Sequence, residues 1–180
     1  NDHIAQYNLG LIYYEGGNVE QNIDKAIHYF LLAANQNNHK AEYYLGKINY
    51  EGKYIPKDIK KAINYFLLSA NHNNASAQYE IGIIYYNGIY ITRDINKAIH
   101  YLTLSANQNN SDALYALGCF YLRGSIVPKD MNKASYYLYL AAEQQNNEAR
   151  FLLGVIYSKG EYISRDINKA IYYYKYASSM

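Results

Sequence analysis

The sequence contains one cysteine, Cys119, and no tryptophan among its 180 residues. A single cysteine excludes an internal disulfide, so the chain does not belong to the small secreted domains that disulfides hold together. The cysteine usage favours a reducing compartment such as the cytoplasm. Proline is scarce too, and Pro56 and Pro128 both lie in predicted loops, where no helical amide is lost.

The sequence also lacks a large excess of positive or negative charge, and it lacks long apolar runs. The chain has 17 basic and 15 acidic residues, which gives a formal net charge of +2. A balance this even does not predict the basic patch that nucleic acids or membrane surfaces require, so both are disfavoured as partners. No apolar run approaches the roughly 20 residues of a membrane span, and no signal peptide pattern is visible.

The residue types that carry catalysis or bind metals show no functional spacing. The five histidines lack paired ligand patterns such as H-E-x-x-H, and we interpret them as surface residues. Cys119 would need an adjacent base to act as a nucleophile, but its in-frame neighbours are hydrophobic, so we expect a buried or half-buried apolar residue. We therefore predict no catalytic residue, no metal site, no cofactor and no enzymatic activity.

What the sequence does contain is a strict period of 36 residues. Two glycine series follow it, at Gly10, Gly46, Gly82, Gly118, Gly154 and at Gly16, Gly52, Gly88, Gly124, Gly160. A period of this length is typical of a solenoid, in which stacked units form one another's core. We predict one elongated domain over 1–180, with repeats at about 1–36, 37–72, 73–108, 109–144 and 145–180. Because the chain starts at a repeat boundary without methionine, we expect a fragment of a longer protein.

Each repeat reads as two helices, A and B. In the second repeat, apolar residues at three- and four-residue spacing predict helix A over about 39–51. Gly46 lies inside that helix at a cost of about 1 kcal/mol relative to alanine, so we expect that it lets helix B approach closely. Gly52 then ends the helix in the left-handed conformation.

Helix B of the second repeat is predicted to follow Asp58, whose side chain can cap the first turn. Lys61, three residues later, can pair with that aspartate. Short asparagine-rich turns end the B helices, since asparagine tolerates the left-handed conformation. The repeated tyrosines of helix B are expected in the core; they are Tyr29, Tyr65, Tyr101, Tyr137 and Tyr173. The chain is therefore predicted to be all-α.

These motifs resemble the Sel-one-like repeat (SLR) family, a relative of the tetratricopeptide (TPR) repeats. The second repeat reads from Ala41 as AEYYLGKINYEG and from Asp58 as DIKKAINYFLLSA. The resemblance covers all five repeats and implies a right-handed α-solenoid that acts as an adaptor in protein complexes. It also implies that the A helices line the concave face.

The chain departs from the family pattern at two turns. The second glycine usual in the A–B loop is replaced, so loop aromatics such as Tyr54, Tyr90 and Tyr162 are expected to protrude. The glycine usual between repeats is an asparagine in three turns and Gln145 in the fourth. Since glutamine is a poor left-handed residue, the turn before the fifth repeat is predicted to differ.

The resemblance maps a partner-binding surface onto the A helices. Its residues lie in three rows, one per inward position: Tyr7, Tyr43, Tyr79, Tyr115, Phe151; then Tyr14, Tyr50, Tyr86; then Lys47, Ile83, Cys119. Tyrosine combines a rigid ring with a hydroxyl and is frequent at binding hot spots. We predict a groove for a partner protein or peptide. The alternative is that these rings pack against the neighbouring helix A.

Other functions stay open at this stage. Helical repeats also bind RNA, but acidic residues such as Glu15 and Glu51 share the mapped rows. Sequons at Asn74 and Asn109 are compatible with an adaptor in the endoplasmic reticulum lumen, against which the single cysteine argues. The last helix remains aromatic where solenoids usually carry a polar cap, so we predict end-to-end self-association or adjoining repeats.

Overall fold

The computed structural model of the chain describes residues 2–160 and 163–178, and every regular element in those ranges is an α-helix. Helices A and B alternate along them. In chain order they are α1 His3–Glu15, α2 Ile23–Ala34, α3 His39–Glu51, α4 Ile59–Asn71, α5 Ala75–Asn87, α6 Ile95–Ala106, α7 Ser111–Arg123, α8 Met131–Glu143, α9 Asn147–Lys159 and α10 Ile167–Ala177. Over this part of the chain, no helix is both long and apolar enough to span a membrane.

The chain forms two compact units, Asn1–Thr92 and Arg93–Met180. Unit 1 holds α1 to α5 and unit 2 holds α6 to α10. Within each unit, every helix packs against the next one in the chain, so that a helix hairpin is followed by the hairpin of the next repeat. The predicted all-α class of helix–loop–helix repeats is confirmed. Because the helices of each unit pack on their neighbours in sequence, adjacent repeats within a unit share one core.

Helix α3 begins and ends where the sequence pattern predicts, at His39 and Glu51. It ends at Gly52, whose φ of 65° is left-handed as expected. The cap at its start was missed: the Asn38 side chain accepts hydrogen bonds from the amides of Lys40 and Ala41, at 3.1 and 3.0 Å. The last asparagine of each turn is thus the N-cap residue of the next helix.

Helix α4 confirms the predicted cap of the B helices. The Asp58 carboxylate accepts the Lys61 amide at 3.0 Å, and the Lys61 ammonium lies 3.5 Å from the same carboxylate. The other B helices begin in the same way, with the caps Asn22, Asp94, Asp130 and Asp166. These ion pairs are exposed and add only a few tenths of a kcal/mol each, so the backbone cap is the main stabilising contact.

Gly46, inside α3, lies where α4 comes closest. A Cβ atom built on Gly46 would be 2.6 Å from Cδ1 of Phe66, which is closer than real Cβ atoms approach. Phe66 is 1% exposed and Phe30, its counterpart in the first repeat, is fully buried. The predicted packing role of this glycine is confirmed, and the phenylalanine of helix B is its partner.

The expectation that the repeated tyrosine of helix B lies in the core is wrong. This tyrosine comes directly before the core residue of helix B, as Tyr65 comes before Phe66. These tyrosines are half-buried, and those at positions 29, 137 and 173 stack on a tyrosine of helix A. The ring centroids of Tyr13 and Tyr29 lie 5.8 Å apart and the rings are within 2° of parallel, and the Lys25 ammonium lies 5.0 Å from the ring centroid of Tyr13. The same stack recurs in the fourth and fifth repeats, at Tyr121–Tyr137 and Tyr157–Tyr173. Aromatic pairs of this kind stabilise the hairpin beyond the area that they bury.

The turn before the fifth repeat does not differ from the others, contrary to the prediction. Gln145 has a φ of 63°, against 60° for Asn109. Its amide donates to the Ala142 carbonyl, and the Asn146 amide donates to that of Ala141, as at the preceding turn. These bonds and the Asn146 cap hold the backbone, so the glutamine adopts a conformation that it disfavours.

We expect Gln145→Gly to stabilise the chain by about 1 kcal/mol, because glycine has no side-chain penalty at positive φ. Urea unfolding of the two proteins measures the difference. Asn109→Gly is the matched control and should gain less, since asparagine tolerates this conformation better than glutamine. A less stable Gln145→Gly protein would contradict the prediction.

Candidate functional site

The tyrosines predicted to bind a partner in unit 1 all lie on one side of its A helices, and all are half-buried. We call this surface the tyrosine face; its residues are Tyr7, Tyr14, Tyr43, Tyr50, Tyr79 and Tyr86. Half-burial means that each ring both supports the packing and reaches the surface. The rings are thus neither fully exposed nor fully buried, and their binding of a partner stays a prediction.

Tyr14 shows how one of these rings is held. Its ring centroid lies 6.3 Å from that of Phe30 in the core and 5.4 Å from that of Tyr44 on the next helix A. The loop residue Tyr54 meets it edge-on at 6.0 Å. Edge contacts of this kind are favoured by aromatic quadrupoles. The ring is contacted by three others, so little rotational freedom is left to lose on binding.

Tyr50 has the same kind of neighbours one repeat later. Its ring lies 6.1 Å from Phe66 and 6.2 Å, edge-on, from the loop residue Tyr90. The Lys57 ammonium lies 5.0 Å from the Tyr50 ring centre and 5.7 Å from that of Tyr90. A cation over aromatic faces at these distances adds a cation–π attraction.

The loop aromatics therefore do not simply protrude as predicted. Tyr54 is half-buried against Tyr14, and its hydroxyl accepts a hydrogen bond from the Gln21 amide at 3.4 Å. Tyr90 is 45% exposed but still contacts Tyr50. Tyr162 lies outside the described residues. The loop aromatics of unit 1 thus extend the tyrosine face, which the sequence pattern did not show.

The first row of the face is built on the same core residues. Tyr7 contacts Phe30 and Tyr44, with ring centroids 6.1 and 6.0 Å apart. Tyr43 contacts Phe66 at 5.9 Å and Tyr44 at 5.7 Å. Tyr44 is therefore shared by both rows. The sequence pattern did not single it out, because it lies outside the inward positions mapped from the family.

Burial makes three phenols of this face weaker acids than a free tyrosine. It raises the pKa of Tyr7, Tyr14 and Tyr43 to about 12 in each case, and nearby carboxylates add to the effect. Those carboxylates include Glu15 for Tyr7 and Glu51 for Tyr14. At neutral pH these three phenols keep their protons, and each can both donate and accept a hydrogen bond.

The third predicted row, which begins with Lys47 and Ile83 in unit 1, places charged and apolar side chains among the tyrosines. Lys47 is half-buried, and its ammonium lies 3.8 Å from the Glu51 carboxylate one turn away. Ile83 is half-buried on α5. This surface therefore mixes charges of both signs with aromatic rings.

Unit 2 carries the remaining predicted residues, with a less even pattern. Tyr115 is half-buried, and burial followed by a hydrogen bond with Cys119 raises its pKa. Cys119 is only 8% exposed and burial raises its pKa, so it is a neutral thiol, as its apolar surroundings led us to expect. Phe151 is 54% exposed and contacts Tyr174 at 5.8 Å.

His3, His28, His72 and His100 are exposed, as the surface interpretation expected, whereas His39 is half-buried; His39 and His72 also contact polar side chains of neighbouring elements. Both carboxylate oxygens of Glu42, which is 2% exposed, lie within 3.1 Å of His72 Nδ1, between the start of α3 and the end of α4. His39 Nδ1 lies 3.1 Å from the Asn74 amide nitrogen, which can only donate, so this ring nitrogen accepts. Across the residues that the structure describes, no three potential ligands gather into a metal site.

We expect the stability of unit 1 to fall as the pH drops below about 6.5, partly through His39. Burial, with Lys40 nearby, lowers the pKa of His39 below its ordinary value. Above that value His39 is neutral in both the folded and the unfolded chain. Below it the unfolded chain takes up the proton first, so stability is lost as the pH falls through this range.

Urea unfolding at pH 7.5 and pH 5.5 measures this loss. His39→Asn is the test variant because Asn147 occupies the matching position in the fifth repeat. It should lose less stability between the two pH values than the wild type. An equal loss in both proteins would show that His39 does not contribute.

The sequence and the structure are both similar to known repeat proteins. The sequence model of the Sel1 repeat matches residues 3–38, 39–74, 75–110, 111–146 and 147–180. These matches start at the first residue of each helix A, two residues after the repeat boundaries predicted from the glycine period. No curated protein sequence matches the chain.

Two solved structures resemble the chain over 98% of its length. One is a Sel1 repeat protein from Oxalobacter formigenes, with 33% identity, a TM-score of 0.91 and 73% of that protein covered. The other is c5321, a protective antigen of uropathogenic Escherichia coli with the SLR fold, at 27% identity and a TM-score of 0.90. The chain spans 38% of that protein. Cysteine-rich protein B of Helicobacter pylori is 25% identical, with a TM-score of 0.58 over 77% of this chain and 99% of its own.

Proposed function

The chain belongs to the Sel1 repeat family, and on that premise we propose that the tyrosine face of unit 1 binds a peptide segment of a partner protein. Sel1 repeat proteins are helical-repeat scaffolds, generally protein-interaction modules rather than enzymes. In this chain the tyrosine face is the surface that contacts the partner peptide. Tyr115, Cys119 and Phe151 hold the matching positions in unit 2, where the burial of Cys119 makes it the weakest candidate.

The observation that carries the proposal is the repeated set of half-buried tyrosines whose rings hold one another in place. Tyr14 is fixed by Phe30, Tyr44 and Tyr54, and Tyr50 by Phe66 and Tyr90. Ordering side chains costs about 0.5–1.5 kcal/mol per immobilised group on binding. Rings that are already fixed avoid most of that cost, which favours them as anchors for a partner.

The chemistry of the face suits a peptide better than a nucleic acid. Burial raises the pKa of Tyr7, Tyr14 and Tyr43 to about 12, and Glu15, Glu51 and Glu80 lie close enough to add to that rise. Carboxylates among the rings repel phosphates but accept hydrogen bonds from peptide amides or basic side chains. The periodic rings can contact successive side chains of an extended segment or a helix.

A library of random 12-residue peptides displayed on phage tests the proposal. Peptides selected against the 180-residue chain are synthesised, and their binding is measured by fluorescence anisotropy. The variant Tyr14→Ala/Tyr50→Ala/Tyr86→Ala should raise the Kd at least about 30-fold, as expected when hot-spot rings are removed. Circular dichroism and thermal unfolding establish that the variant remains folded.

The control removes tyrosines that lie elsewhere. Tyr136 and Tyr139 are 59% and 45% exposed on α8, and their replacement by alanine should leave the Kd unchanged. A third variant, with phenylalanine at positions 14, 50 and 86, separates the ring from the hydroxyl. Selected peptides that bind the alanine variant as tightly as the wild type, or a library that yields no binding peptide, would argue against this surface.

A further inference from the structure

Three tyrosine rings meet where the first two A helices, α1 and α3, lie side by side. Tyr44 of α3 is edge-on to Tyr14 of α1, with ring centroids 5.4 Å apart, and edge-on to its neighbour Tyr43 at 5.7 Å. Tyr44 also stacks on the core residue Phe30 at 5.2 Å. All three tyrosines are half-buried. The group is therefore anchored to the core while each ring keeps part of its surface accessible.

The accessibility of these rings does not arise from the start of the sequence. Tyr43 and Tyr44 lie on α3, which packs between α2 and α4 inside unit 1. Tyr50 holds the position of Tyr14 one repeat later, where a repeat does precede it, and it is half-buried as Tyr14 is. These positions on helix A therefore keep their rings partly accessible inside the array of repeats.

Two exposed carboxylates lie beside the rings, Glu15 as the last residue of α1 and Glu51 as the last residue of α3. Burial raises the pKa of Tyr14 to about 12, and both carboxylates add to the rise. Glu51 acts on Tyr43 in the same direction, and Glu15 on Tyr44. We call these three tyrosines and two glutamates the acidic aromatic cluster. Each of its phenols lies in the field of a negative charge.

The lysines of the chain show that rings of this surface attract cations. The Lys57 ammonium lies 5.0 Å from the ring centre of Tyr50, and the Lys53 ammonium lies 4.8 Å from that of Tyr54. Among the residues that the structure describes, no lysine or arginine charge lies over the three rings of the acidic aromatic cluster. These rings are therefore open to a cation from a partner.

The negative charge of the cluster is only partly compensated. The Lys47 ammonium lies 3.8 Å from the Glu51 carboxylate, whereas Glu15 forms no ion pair with any residue of the described ranges. A cation placed over aromatic rings gains from their quadrupoles, and a carboxylate beside the rings adds a charge-assisted hydrogen bond. The group that complements this surface is therefore positively charged.

We propose that the acidic aromatic cluster binds an arginine side chain of the partner peptide, an inference that rests on the proposed function of the tyrosine face. The planar guanidinium can stack on an aromatic ring while its N–H groups donate to carboxylate and phenol oxygens. Lysine carries the same charge, but its ammonium has no flat face to stack, so arginine is preferred. The partner segment is basic where it crosses α1 and α3.

The peptides selected for binding to the wild-type chain test this inference. Each arginine of a selected peptide is replaced in turn by citrulline, which keeps the shape of the side chain and removes its charge, and fluorescence anisotropy measures the Kd. Replacement of the docking arginine should raise the Kd about 10-fold. The variant Glu15→Gln/Glu51→Gln should weaken the arginine peptide by a similar factor and leave the citrulline peptide unchanged, since the two changes remove the same interaction.

The control variant removes the same amount of charge elsewhere in the first repeat. Glu20 and Asp24 are exposed and lie outside the cluster, so Glu20→Gln/Asp24→Asn should leave the Kd of the arginine peptide nearly unchanged. The substituted glutamates of the test variant are exposed as well, so both proteins are expected to fold, and circular dichroism verifies that they do.

The outcomes separate this inference from the proposed function. Selected peptides that lose affinity when Tyr14, Tyr50 and Tyr86 become alanine, but that contain no arginine or bind equally well with citrulline, would overturn the inference and support the proposed function. Equal weakening by the control variant would overturn it too, because the net charge of the chain rather than the cluster would then attract the peptide. A library that yields no binding peptide would count against both.

Discussion

Phe66→Ala is expected to lower the free energy of unfolding by about 3–5 kcal/mol, as large-to-small changes at buried aromatic positions do. Phe66 is 1% exposed, and its ring contacts both Tyr43 and Tyr50 of the tyrosine face. Its loss would leave a cavity between α3 and α4 that helices on either side cannot easily fill. Urea unfolding followed by circular dichroism measures the change.

Leu68→Ala is the control for this substitution, since Leu68 lies two residues along the same helix and is 48% exposed. It should cost less than about 1 kcal/mol, because the side chain leaves little buried area behind. A loss of similar size for both variants would mean that the ring of Phe66 is not the centre of the core of unit 1.

Gly46→Ala is expected to destabilise the chain by about 2 kcal/mol, although alanine is the better helix former by about 1 kcal/mol. The added Cβ would lie 2.6 Å from Cδ1 and 2.7 Å from Cε1 of Phe66. The ring is enclosed, so either it leaves its preferred position or α3 and α4 move apart. Overpacking of this kind exceeds the gain in helix propensity.

The same substitution in the Phe66→Ala background isolates the cause. Without the ring there is space for the methyl group, and only the helix propensity remains, so Gly46→Ala should then stabilise by up to about 1 kcal/mol. The reversal of sign is the result that tests the contact. If Gly46→Ala costs the same in both backgrounds, the glycine is required for another reason.

This pairing recurs along the chain and gives the 36-residue period a physical cause. A Cβ atom on Gly10, Gly118 or Gly154 would lie 2.5–2.8 Å from side-chain atoms of Phe30, Leu138 and Tyr174, respectively. The large residue varies while the glycine does not. In these four hairpins the close approach of helices A and B, rather than one particular side chain, therefore determines the spacing.

Much of the local structure could be predicted from the sequence, because it depends on short-range effects. The bounds of α3, the cap at Asp58 and the left-handed Gly52 all follow from the side chain or backbone freedom of one residue and its near neighbours. The period, five times repeated, then identified the stacking, since a helix hairpin with one apolar side needs a neighbour to cover it.

The candidate site was predicted only in part. The rows of tyrosines on the A helices followed from the repeat, but their half-burial did not, because it depends on rings that lie far away in sequence. Tyr14 is held by Tyr44 and Tyr54, 30 and 40 positions along the chain. No pattern within one repeat shows that the aromatic loop residue folds back onto the preceding repeat.

By itself, then, the sequence determined the helices, their caps, the repeat and the family, since these rest on local propensities and on a period that recurs five times. The tertiary structure alone decided which of the adjacent aromatics Tyr65 and Phe66 fills the core, because both fit the helical pattern. Phe66 fills it, since its ring packs against Gly46 of α3. The tertiary structure also imposed a left-handed Gln145, through hydrogen bonds of the flanking backbone, and joined Glu42 to His72 across two helices. These features depend on contacts between distant residues, which exist only once the helices have packed.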